Sequence, residues 1–167
     1  ACIIRGTYSD KKGNISLEQE PLSSEQTTMA EAVHNCGGIV IVQVKEVVEN
    51  GTLHPRKVQI PACLVDYVVT ARPENHLQCY DGSVYRPELT GESRIELASI
   101  KPMELTPRKI CGRRAAMELT AGALVNLGIG MPDSVASVIN EEGLSGGVTF
   151  SIETGVFGGV PVSGVGL

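Results

Sequence analysis

Clustered positive charge is missing from this sequence. Across 167 residues, 14 Lys and Arg stand against 19 Asp and Glu, a formal net charge of -5, and no basic block is longer than Arg113-Arg114. Binding a phosphate backbone needs Lys and Arg gathered on one face, so a nucleic-acid partner is excluded. Long apolar runs are missing as well. No uncharged apolar stretch reaches the ~18 residues that cross a bilayer, and no basic segment followed by an apolar one opens the chain. The expected location is the cytoplasm, with no membrane partner. The five cysteines are odd in number and form no Cys-x-x-Cys pair, which signals neither a disulfide framework nor a zinc knuckle. Histidine is scarce too, with three in the chain. His34-x-Cys36 and His76-x-x-Cys79 have no second pair at ligand spacing, so no metal site is expected.

What remains is the balance of a globular protein, 42% hydrophobic and 20% charged. The chain opens without Met and stops at an apolar, Gly-rich end, Gly164-Val165-Gly166-Leu167, which reads as the interior of a longer sequence. Residues 3–7 read as a short strand, Asp10-Lys-Lys-Gly-Asn14 has hairpin-turn chemistry, and Asn14-Ile-Ser-Leu17 reads as the returning strand. Ser24 is the expected cap of a helix carrying Met29, Ala30, Ala32 and Val33 and ended by Gly37-Gly38. Residues 39–48 are β-branched and nearly continuous, as expected of a strand covered on both faces, and 64–70 form a second such strand. Strand-like runs around a helix suggest an α/β layer architecture.

From Arg72 to Thr106 the pattern weakens, with Pro73, Gly82, Pro87, Gly91 and Pro102 interrupting any regular element. Pro107, after Thr106 as N-cap, opens a helix whose apolar residues run from Ile110 to Ala121, closed by Gly122. Residues 123–127 read as a strand, Gly128-Ile-Gly130-Met-Pro132 as a tight turn, and Asp133 to Ile139 as a helix. Residues 148–152 read as another strand, with Glu153 at its carboxyl end. In open α/β sheets ligands bind beyond the carboxyl ends of strands, so Gly128, Gly130 and Glu153 are expected to share one crevice. Backbone amides of the Gly-x-Gly turn can approach a ligand closely, and the following helix N-terminus favours negative charge. The turn lacks the third glycine of a dinucleotide fingerprint.

Several motifs in order add a family likeness. Asn126-Leu-Gly-Ile-Gly-Met-Pro132 resembles the opening strand and turn of the β portion of class I CoA-transferases. Ser151-Ile-Glu-Thr-Gly155 resembles their nucleophile motif in the form of the acetate and propionate branch, with Ile152 and Thr154 where other branches carry Ser and Asn. Arg5-Gly-Thr7, Asp10-x-x-Gly13-Asn14, Thr52-Leu-His-Pro55, Ile60-Pro61 and Val65-Asp66 resemble the late part of the α portion, with Ala62 where relatives carry Gly.

The resemblance implies an open three-layer α/β fold of the CoA-transferase type, with parts of two similar domains. Residues 1–105 would hold the end of the α-type domain and a linker, and 106–167 the start of the β-type domain. It implies Glu153 as the nucleophile, with Gly128, Gly130 and Gly155 near the substrate. CoA and acyl-CoA would be co-substrates beside small carboxylic acids, with no permanent cofactor. A homo-oligomer is expected, because a sheet cut through its strands leaves edges that favour association. A piece this short is expected to be weakly active or inactive alone. The alternatives are a non-catalytic α/β fragment, which a stable monomeric CoA-binding chain would contradict, and a nucleotide-binding module, which titration with NAD or ATP would reveal. His54 and Asp66 read as structural hydrogen-bonding groups.

Overall fold

Val- and Ile-rich segments dominate the first half of the chain, and they build two sheets by bending at matching positions. The computed structural model describes residues 1–79, 82–153 and 155–161. Thr154 of the nucleophile motif and the 164–167 end fall outside them. Two compact units result, Ala1–Ser93 and Arg94–Leu167.

The first unit runs β1 (Cys2–Arg5), β2 (Tyr8–Asp10), β3 (Ile15–Ser16), α1 (Gln26–Asn35), β4 (Val40–Val44), β5 (Glu46–Val48), β6 (Val58–Ile60) and β7 (Tyr67–Thr70). A parallel sheet has the order β1-β4-β7, and a second sheet has the order β5-β2-β3-β6. The expected strand over 3–7 therefore ends at Arg5, and the hairpin's first arm is β2, paired antiparallel with β3. The expected strand over 39–48 is likewise two strands, separated at Lys45. The physical reason is a shared change of partner. Gly6 still donates to the Gln43 carbonyl (2.9 Å), while Thr7 donates to Ser16 (2.7 Å) and Lys45 to Thr7 (3.0 Å). Gly6 is needed at this bend, since a Cβ there would lie 2.4 Å from Ile15 Cγ2. The run over 64–70 begins as a 3-10 turn, Ala62–Leu64, and becomes a strand only from Tyr67.

Cys2, Ile4, Val40, Val42 and Val44 face one way and form the core with Ala30 of α1, Ile15, Leu17 and Ile60. The other face of the parallel sheet is open, with Ile3 73%, Tyr67 60% and Val69 49% exposed. Burial on both faces, expected for 39–48, is thus not found; Val40, Val42 and Val44 are buried, and Ile41 and Gln43 are half-buried. Helix α1 starts after Glu25 with no side-chain cap, so Ser24 does not cap it. Its end is as expected: Gly38 donates to Val33 (2.8 Å) and Gly37 to His34 (2.9 Å), the paired bonds of a Schellman motif. Asp66 accepts from the Val40 N–H (2.8 Å) and His54 Nδ1 from the Arg56 N–H (3.1 Å), both structural roles.

The second unit contains α2 (Pro107–Ala116), β8 (Ala123–Leu127), α3 (Asp133–Glu141) and β9 (Val148–Ile152). Both strands have the bounds read from the sequence. Helix α2 stops at Ala116, short of the expected Ala121, because the chain turns there and Gly122 donates to Gly147 (2.6 Å) at the start of the β8–β9 pair. Thr106 is its N-cap by position, without a side-chain bond. Leu127, Val135, Ala136, Ile139 and Phe150 make the core of this α/β unit.

Candidate active site

The carboxyl ends of β8 and β9 lie side by side, because the two strands are parallel with Asn126 opposite Ser151 and Leu127 opposite Ile152. Gly128 and Glu153 each follow one residue beyond a paired end, so the register brings together the turn and the carboxylate that the sequence set apart by 25 residues, the same separation as the Asn126–Ser151 pair. One residue short of that end, Ser151 Oγ donates to Asn126 Oδ1 (3.2 Å), which makes a polar rung below the site.

Glu153 is exposed at a chain reversal. Gly155 donates to the Ile152 carbonyl (2.9 Å), Ile152 donates back to Val156 (3.1 Å), and Gly158 donates to Phe150 (2.8 Å). Residues 155–158 therefore run antiparallel along β9, with Ser151 bridged to Phe157. Gly155 has φ +89°, a left-handed value that suits glycine at the close of a short reversal. The sequence does not foretell this fold-back, although Gly155, Gly158 and Gly159 are concentrated in the region.

The glycine turn is held from its own unit. Arg108 of α2 donates to the Gly130 carbonyl and to the Asp133 carboxylate at the start of α3. Asp133 is only 5% exposed, so the guanidinium compensates a buried charge. Ser134 Oγ donates to the Met131 carbonyl (2.6 Å). Among the described residues, Gly128, Gly130 and Gly155 have no neighbour within 4 Å of where a Cβ would stand, which leaves their backbone approachable. Arg108 was missed from the sequence; its spacing of four residues from Gly112 was visible, but its partners were not. The two cavities described, about 100 and 340 Å³, lie in the first unit, the smaller lined by Arg5, Glu20, Lys45, His76 and Tyr85 among others, and neither includes Glu153. Among the described residues no cluster of His, Cys, Asp and Glu is arranged to hold a metal ion. Among the described residues no helix is long and apolar enough to cross a membrane.

Comparison with known proteins converges on one family. Residues 1–71 match the family described as coenzyme A transferase. The chain is 46% identical over 161 residues to a caffeate CoA-transferase of Acetobacterium woodii, which covers 96% of this chain and 31% of that protein. It is 36% identical over 162 residues to the acetate CoA-transferase YdiF of Escherichia coli, covering 97% of this chain and 30% of YdiF. The crystal structure of YdiF from E. coli O157:H7, a thioester complex with CoA, superimposes with a TM-score of 0.79 at 36% identity over 95% of this chain and 29% of that one. The chain thus spans about a third of the length of the curated relatives it matches. Similarity along nearly its whole length and the YdiF-like fold agree: this chain resembles members of the coenzyme A transferase family, whose model matches residues 1–71.

Proposed function

We propose that the protein containing this chain moves CoA between a short-chain acyl-CoA and a carboxylic acid through a glutamyl-CoA thioester on Glu153. The observation that carries this reading is the exposed Glu153 carboxylate at the end of β9, level with the glycine turn after β8. Likeness to YdiF, solved as a thioester with CoA, supports the same intermediate here.

The chemistry needs no partner base, since an ordinary glutamate is ionised near pH 7. A Glu153 oxygen attacks the thioester carbonyl carbon, the C–S bond breaks, and CoA leaves as a thiolate. The product is a mixed anhydride between the acyl group and Glu153. The thiolate then attacks the glutamyl carbonyl, and the acyl group departs as a carboxylate carrying the bridging oxygen. The resulting glutamyl-CoA thioester is attacked by a second carboxylate, and the same steps run in reverse. Each addition places negative charge on a carbonyl oxygen, where one well-aimed donor contributes about 3 kcal/mol. Backbone amides of the turn at Gly128, Gly130 and Met131 are the donors assigned here; the Gly155 N–H is taken by the Ile152 carbonyl, so Gly155 lies near the substrate without donating to it. On this reading residues 1–105 belong to the α-type domain and its linker and 106–167 to the β-type domain of a cytoplasmic homo-oligomer.

Incubating the full-length protein with acetyl-CoA, digesting it and weighing the Glu153 peptide tests the proposal. The expected result is a gain equal to a CoA thioester, abolished with activity in Glu153→Ala. An unmodified peptide, or full activity in Glu153→Ala, overturns it.

A further inference from the structure

Neither the motifs nor the charge pattern of the sequence singles out Arg108, yet it is the side chain that grips the glycine turn. We propose that Arg108 is a positioning residue for CoA transfer, fixing the Gly130–Met131 peptide and through it the Met131 N–H offered to substrate beside Glu153. This rests on the CoA-transferase reading above.

The grip is built by two residues on one face of α2, four apart. A Cβ at Gly112 would lie 2.7 Å from Ser134 Oγ and 3.0 Å from the Ser134 carbonyl oxygen, so the backbone of α2 rests directly on the first turn of α3. One helical turn earlier, this close seating lets Arg108 Nη2 reach both the Gly130 carbonyl and the Asp133 carboxylate. The buried Asp133 fixes the guanidinium, and the guanidinium fixes the carbonyl. A trans peptide points its C=O and N–H in opposite directions, so holding the Gly130 carbonyl toward α2 turns the Met131 N–H away from α2. Gly130 has φ +106° and no described atom within 4 Å of its Cβ position, so packing at that position does not set its orientation. The next carbonyl, of Met131, is held by Ser134. The Met131–Pro132 peptide has no N–H, so the Met131 N–H is the one amide this restraint orients.

The test uses the full-length protein and acetyl-CoA, with single-turnover formation of the Glu153 thioester and the melting temperature as readouts. Arg108→Met combined with Asp133→Asn removes the grip without leaving an unpaired buried carboxylate. Lys109→Met is the matched control, because it breaks the Lys109–Glu141 pair between the same two helices away from the turn. The double variant is expected to lose at least about 30-fold in the rate constant at saturating acetyl-CoA, with KM changed by less than about threefold. Lys109→Met is expected to lower the melting temperature comparably and keep the wild-type rate. If the double variant does not fold, Arg108→Lys serves, with an expected loss of about tenfold because one ammonium replaces a planar fork. A wild-type rate in the folded variant, or equal slowing in Lys109→Met, overturns the inference. Absence of any thioester in the wild type instead overturns the transferase reading itself.

Discussion

Asp10 closes the hairpin between β2 and β3, and Asp10→Asn is expected to destabilise the first unit by about 2 kcal/mol at pH 7. Its Oδ1 accepts from the backbone N–H groups of Lys12 and Asn14, both at 2.9 Å, and its Oδ2 accepts from Asn14 Nδ2 at 2.8 Å. An asparagine keeps one accepting oxygen but sets an NH2 group against the NH2 of Asn14. It also removes the charge that strengthens the two bonds it retains, each worth about 1.5–3 kcal/mol when charged. Asn14 in turn accepts from the Ala62 N–H through Oδ1 (3.0 Å), so loosening it also frees the turn that leads to β7. Burial opposes ionisation of Asp10, but bonds from the Asn14 side chain and from the backbone of Asn14, Lys12 and Gly13 outweigh it, and the pKa lies below its ordinary 3.8. A depressed folded pKa means stability present in full above the unfolded value and lost as pH falls through the folded one. Urea unfolding of wild type and variant, followed by circular dichroism from pH 7 downward, should show a gap that narrows below about pH 4. A gap that stays constant down to about pH 2.5, or one under about 0.5 kcal/mol at pH 7, would refute the assignment.

Gly6→Ala is expected to cost about 2–3 kcal/mol, because Ile15 is fully buried and its Cγ2 lies 2.4 Å from the new methyl; thermal unfolding of the folded protein measures this. Gly155→Ala is expected to cost about 1–2 kcal/mol locally through the left-handed φ of +89°. Faster amide exchange at Ile152 and Gly158 and slower thioester formation at Glu153 are its signatures, and unchanged exchange at both amides contradicts it.

The short strands of the second unit were legible because each is a compact β-rich run that starts directly after a glycine, β8 being closed by Gly128 and β9 by Glu153, and the structure returns the same limits for both. The bends of the first unit were not. Residues on both sides of Lys45 are equally β-branched, so propensity reads one strand where there are two. What divides them is the Lys45 N–H bonding to Thr7, a partner 38 residues away that no local pattern contains. Gly6 was the one local hint, and its reason lies in Ile15 of a neighbouring strand. The end of α2 failed for a related cause: Met117 continues the helical pattern yet is 78% exposed, and the chain leaves the helix to start the β8–β9 pair.

At the site, residue type and position at a strand end were legible for Glu153, because a carboxylate after a β-rich run is visible in one dimension. How it is presented was not. The reversal depends on Ile152, Val156, Phe150 and Gly158 exchanging backbone bonds, which glycine content alone does not specify. The glycine turn carries the same lesson further. Its sequence explains why the backbone can be approached, while its orientation is set by Arg108, whose two acceptors lie 22 and 25 residues on. One acceptor is a backbone carbonyl, a group every residue has, so no motif could have named it. A glycine turn that is free of side chains is also free of the packing that would fix it, and the restraint has to come from behind, through a helix close enough to reach. Gly112 supplies that closeness, which ties a residue in the middle of α2 to the peptide geometry beside Glu153.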